Sequence, residues 1–112
     1  MIERPRARRY PLAASIEIIE MESGTELRAQ TTDISVFGCR VNVAPPWPTG
    51  SKLRLRIFHR GAVLIALGAV ANVRVKGGMG VVFMQIEEKQ QSVLEKWLTE
   101  LRDMHERVSA KR

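Results

Sequence analysis

The spacing of apolar residues changes once along this chain, and that change constrains the fold more than any other feature. Up to Ile86 the apolar positions recur at every second residue in short runs; beyond Glu87 they recur every three to four. The clearest run is "KLRLRIF" (Lys52 to Phe58), with Leu53, Leu55 and Ile57 on one face and Lys52, Arg54, Arg56 and Phe58 on the other. A period of two means a half-buried strand. Further strands are expected at "SIEII" (Ser15 to Ile19), at "TELRAQTTDIS" with Leu27, Ala29 and Thr31 on one face, and at "GCRVNV" with Cys39, Val41 and Val43 on one face. "AVLIALGAVANVRV" is long for one strand, and Gly68 suggests a bend or bulge inside it; "MGVVFMQI" is the last strand. Turn chemistry separates these runs at Glu22 to Gly24, His59 to Gly61 and Lys76 to Gly78, and the three prolines of "APPWPTG" (Ala44 to Gly50) cannot sit in a central strand. Val93, Leu94, Trp97, Leu98, Leu101, Met104 and Val108 then share one helical stripe, which predicts a helix from about Glu88 to His105. Short strands followed by one helix imply an all-β barrel or sandwich with a C-terminal helix that packs on the sheet or plugs a barrel end.

With 112 residues the chain holds one domain, expected over residues 12–108, after an arginine-rich arm at residues 1–11. The longest weakly polar run, Gly61 to Val73, is too short for a membrane span. Cys39 is the sole cysteine, so no intrachain disulfide forms, and four of the first nine residues are arginine, which is not a leader pattern; a cytoplasmic setting is expected. The formal net charge is +6, and its placement matters more than its size. No Asp or Glu occurs between Ile34 and Ile86, a span that carries Arg40, Lys52, Arg54, Arg56, Arg60, Arg74 and Lys76, and Arg4, Arg6, Arg8 and Arg9 stand in the arm. Such a field attracts phosphates, unless it is simply a solvated basic surface.

Catalysis is not expected. A nucleophile needs an oriented base within reach, whereas His59 lies in a turn, His105 on the terminal helix, and Cys39 on the inward face of a strand. One cysteine and two distant histidines do not make a metal site, and no phosphate-cradling glycine motif occurs. Single-stranded nucleic acid is a weaker reading, since such surfaces interleave charge with aromatic platforms. Trp97 and Phe83 belong to core patterns here, leaving Phe58 beside Arg56 as the candidate platform.

"TTDISVFGCRV" (Thr31 to Val41) starts and ends as strand, yet its middle holds Asp33, Ser35 and Gly38. Asp33 and Ser35 are open to a bland reading as a side-chain-capped turn. Together with "ERPRARRYPLAASIEI" and "MGVVFMQIEEKQQSVLEKWLTEL", however, "DISVFG" makes the chain resemble the PilZ domain, a bacterial module that binds the second messenger cyclic di-GMP. "DISVFG" matches that family's Asp/Asn-x-Ser-x-x-Gly motif at each defined position, and the likeness runs from about Glu3 to Arg102. The family's Arg-x-x-x-Arg motif fits less well. Arg4 and Arg8 have the spacing, but the second arginine commonly sits directly before the first strand, where Arg9 stands with Pro5 four residues earlier and Arg6 out of register.

The resemblance implies a six-stranded antiparallel barrel with a C-terminal helix, and cyclic di-GMP held between arm and barrel by Arg4, Arg8, Arg9, Asp33, Ser35 and Gly38, with Arg6, Arg40 and Gly80 as further candidates. It implies no cofactor, and an unidentified protein partner that is switched when ligand orders the arm. Two alternatives stand beside it: a PilZ-like adaptor that acts through proteins without the ligand, and a small basic barrel for single-stranded nucleic acid. The chemistry suits the first reading. A guanidinium forks onto guanine O6 and N7, clamps a phosphate, or stacks on a purine. An ionised Asp33 only accepts hydrogen bonds, and guanine's N1–H and N2–H₂ are a donor pair that adenine lacks.

Overall fold

The computed structural model describes residues 7–74 and 78–110, with side chains described as far as Val108. Its strands are β1 (Tyr10–Pro11), β2 (Ser15–Glu20), β3 (Glu26–Ile34), β4 (Gly38–Asn42), β5 (Lys52–His59), β6 (Ala62–Arg74) and β7 (Gly78–Gln85), and one helix follows, α1 (Glu88–Ala110). The pairings run β3-β2-β5-β6-β7-β4 and return from β4 to β3, so six antiparallel strands close a barrel. Closure removes the exposed edges that an open sheet would present.

The alternation that predicts the strands also fills the barrel. Leu53, Leu55 and Ile57 of β5 are fully buried, as are Ile18 of β2, Ile34 of β3, Val41 of β4, Leu64 of β6 and Met79 of β7. On β6 the inward set passes through Gly68, where the pairing with β7 shifts register between Leu67 and Gly68, as the glycine suggests. A Cβ at Gly68 would lie 2.7 Å from the Val82 carbonyl oxygen, so the strand can bend against β7 only without a side chain there.

The helix caps this core. Leu94 and Trp97 are buried, and the Trp97 and His59 rings form a T-shaped pair with 5.3 Å between centroids. Burial first, then the adjacent Arg60 charge, pushes the His59 imidazole below its ordinary pKa, against the pull of Glu100. Arg60 reaches across to Glu100 on α1 at 2.9 Å. The helix runs to Ala110, past the expected end near His105, because no glycine or proline interrupts the sequence there. Its stripe leaves the barrel as it goes: Met104 and Val108 are exposed.

The other departure from expectation is β1. Tyr10 and Pro11, read from sequence as part of the arm, pair with Ile34 and Asp33 of β3. They continue the line of β2 after a break at residues 12–14, which β2 alternation cannot foretell. Thr31 repairs that break. Its buried Oγ1 accepts a hydrogen bond from the Ala14 N–H at 2.9 Å and donates to the Leu12 carbonyl. Thr31→Val keeps the shape and strands both backbone groups. It should lower unfolding free energy by about 2 kcal/mol in urea titration.

Candidate functional site

The site begins with a slip in a strand. Along β3 the inward face runs through Leu27, Ala29 and Thr31, so unbroken alternation would turn Asp33 inward as well. The pairing of β3 with β4 instead shifts register between Thr31 and Asp33. The extra residue resets the phase, Ile34 takes the fully buried position, and Asp33 comes out onto the barrel's outer face. Its side chain is 23% exposed, yet Oδ1 is buried with no hydrogen-bond partner among the described residues.

The residues after Asp33 build the connection from β3 to β4. The Ser35 N–H donates to the Gly38 carbonyl at 2.8 Å, and the Ser35 hydroxyl accepts from the Phe37 N–H at 3.1 Å. Ser35 is buried, and its side chain braces the turn. Gly38 pairs with Val82 of β7, and a Cβ there would lie 1.9 Å from the Val81 carbonyl oxygen. Val36 and Phe37 are left exposed at the tip.

The arm root supplies the cations. Arg9 Nη1 stands 3.9 Å from Asp33 Oδ1, a charge contact outside hydrogen-bond reach. Arg8 goes elsewhere. With Ala7, Tyr10, Val36, Leu98, Thr99 and Arg102 it lines a groove of about 230 Å³ between the arm root, the β3–β4 tip and α1. Tyr10 is buried on that side, its ring 6.3 Å from His105. The extended arm alternates like a strand, so Arg8 and Tyr10 turn toward the helix while Arg9 and Pro11 do not. Arg4 and Arg6 lie outside the described residues.

Asp33 also begins a row across the barrel wall. Arg40 of β4 is its direct cross-strand partner, Gly80 of β7 partners Arg40, and Asn72 of β6 partners Gly80. Arg40 is 7% exposed and donates from Nη2 to Asn72 Oδ1 at 2.7 Å. Burial, then the charges of Arg74 and Arg9, push the Arg40 guanidinium below its ordinary pKa, while Asp33 opposes them. On the inner face behind this row lies Cys39, fully buried, its thiol pushed up to about 12 by burial and by the Asp33 charge, against the pull of Arg9. It is core and not a nucleophile.

The structure thus brings Arg9, Asp33, Arg40 and Gly80 to one region, and gives Ser35 and Gly38 places in the turn and strand beside it. Asn72 and Arg74 are the neighbours that the sequence reading misses. The alternation in "ANVRV" was their signal, since it places both on one polar face. Among the described residues no group of side chains is arranged to hold a metal ion, and no helix is long and apolar enough to cross a membrane.

The PilZ domain family model matches residues 3–100. Among solved structures, the Bacillus subtilis inhibitor of motility MotI/DgrA superposes with a TM-score of 0.71 at 21% identity, over 93% of this chain and 53% of that one. This chain therefore spans about half the length of that protein. The PilZ domain of Escherichia coli YcgR with c-di-GMP superposes with a TM-score of 0.69 at 12% identity, over 98% of this chain and 100% of the other. The PilZ domain of CeSA from a cellulose-synthesizing bacterium gives 0.65 at 19% identity, over 85% of this chain and 98% of that one. No curated protein sequence matches this chain.

Proposed function

This chain belongs to the PilZ domain family, and we propose from that membership that it is a non-catalytic receptor for cyclic di-GMP in the bacterial cytoplasm. The observation that carries the reading is the pairing of a cation and a carboxylate that do not satisfy each other. Asp33 Oδ1 is buried without a hydrogen bond among the described residues, and the Arg9 guanidinium waits 3.9 Å away. A buried acceptor without a partner costs stability, and a donor edge arriving from outside recovers that cost. Guanine's N1–H and N2–H₂ supply such an edge to Asp33, and Arg9 is placed for guanine O6 and N7 or for a phosphate. Ser35 and Gly38 serve by shaping the turn that holds Asp33 in place. The E. coli YcgR domain, which shares the fold, is described with c-di-GMP bound.

Ligand then draws the rest of the arm, with Arg4 and Arg6, over the barrel, and the ordered arm changes the surface shown to a protein partner. Calorimetric titration of the whole chain with cyclic di-GMP tests the reading and gives stoichiometry together with affinity. Arg9→Ala should weaken binding by roughly 5- to 150-fold, and Arg8→Ala by much less, because Arg8 faces the helix. The reverse order would assign the motif to Arg4 and Arg8. One observation favours a second reading, an adaptor without ligand: with Arg9 as the second arginine of the motif, the first position is Pro5. A flat trace from folded protein would select it.

A further inference from the structure

We propose that Asn72 is a positioning residue of the ligand site: it holds the Arg40 guanidinium on the barrel wall so that Arg40 meets a phosphate of the ligand. This rests on the function proposed above and extends it to a strand, β6, that neither motif touches.

Three observations converge. The first is placement. Asp33, Arg40, Gly80 and Asn72 are successive cross-strand partners on β3, β4, β7 and β6, so Arg40 stands next to the carboxylate proposed to read guanine. The second is the bond itself. Arg40, only 7% exposed, donates to Asn72 Oδ1 at 2.7 Å across the intervening strand. The third is the strand between them. Gly80 has no side chain, and a Cβ there would fall 2.7 Å from Asn72 Oδ1 and 2.9 Å from Nδ2. The Asn72 amide therefore lies over Gly80 in space that only glycine leaves open, and reaches Arg40 through it.

The electrostatics agree with a phosphate destination. Burial is the largest cost to the Arg40 charge, and Arg74 and then Arg9 add to it as like charges. Two further guanidinium groups within electrostatic range of Arg40 favour an arriving anion. An amide is suited to its part, because it accepts from one guanidinium nitrogen without cancelling the charge. A flexible arginine would lose rotamer freedom on binding; one already held loses less.

The test is calorimetric titration of cyclic di-GMP into the full chain and its variants at two salt concentrations, with melting temperatures measured alongside. Asn72→Ala should weaken binding about tenfold, and Asn72→Asp, which sets a carboxylate against Arg40, about 30-fold, with a shallower salt dependence. Asn72→Asp should melt no lower than the parent. Gly80→Ala should weaken binding as Asn72→Ala does, and add little in the Asn72→Ala background, where the amide it displaces is gone. Affinities of both Asn72 variants within about twofold of the parent overturn the inference while leaving the receptor reading intact. So does a loss of affinity that only tracks a loss of melting temperature, which would make Asn72 a strand tie. A flat trace from the folded parent overturns both.

Discussion

Gly38→Ala should cost about 3 kcal/mol of stability or more, seen as a fall in melting temperature of more than about 10 °C. The reason is backbone against backbone. A methyl group at residue 38 would stand 1.9 Å from the Val81 carbonyl oxygen, a contact that no rotamer relieves because β7 has nothing flexible to move there. Strand β4 must back away from β7, and with it go the pairs Cys39–Val81 and Arg40–Gly80 and the hydrogen bond from the Phe83 N–H to the Phe37 carbonyl. The β4–β7 pairing is part of the closed ring of strands, so the damage exposes an edge as well as a gap. Cys39 and Val41, both fully buried on β4, would be dislodged with it. The result separates two roles for one motif residue. A glycine needed only to let ligand approach would weaken binding and leave melting unchanged; the geometry predicts the opposite priority. A Gly38→Ala protein that melts within about 3 °C of the parent would show that β4 can yield without cost.

How much of this was legible beforehand follows from what each feature depends on. The barrel strands and the helix announce themselves through side-chain alternation and the change of period, which are local properties. The break between β1 and β2 does not, because it is bridged by Thr31 from another strand, and no reading of residues 10–14 alone reveals that. The Asp33 position is a mixed case. Its chemistry invites a ligand reading, but simple alternation with Leu27, Ala29 and Thr31 would bury it. Only the register slip against β4 turns it outward, and a slip is a relation between two strands. Ser35 and Gly38, assigned to the ligand site through the family likeness, also have backbone partners of their own in the turn and the seam. The arginine register shows the same limit. Spacing favours Arg4 with Arg8, while the fold sends Arg8 to the helix and Arg9 to Asp33, a choice made by the anchoring of Tyr10 beneath α1. Asn72 was invisible as a partner for Arg40, being 32 residues away.

Asp33→Asn should weaken cyclic di-GMP binding by about 100-fold without lowering the melting temperature, and it is the sharpest test of base reading. The substitution keeps shape and removes charge. A carboxylate offers acceptors to both N1–H and N2–H₂ of guanine, whereas an amide must present its own N–H₂ to one of those donors. That mismatch adds to the lost charge. Stability should follow a different course. Asp33 Oδ1 is buried without a hydrogen bond among the described residues, so in the free protein this acceptor goes unsatisfied. Its contact with Arg9, at 3.9 Å and with the Arg9 side chain 49% exposed, returns little. Removing the charge should therefore leave the melting temperature level or raise it, the pattern of a residue kept for binding at the expense of the fold. Selectivity supplies the independent readout. The parent should prefer cyclic di-GMP to cyclic di-AMP, since adenine offers Asp33 no donor pair, and in Asp33→Asn that preference should fall toward unity while the arginine contacts to phosphate remain. If Asp33→Asn instead melts lower and binds as tightly, the carboxylate belongs to the strand junction and guanine is read elsewhere.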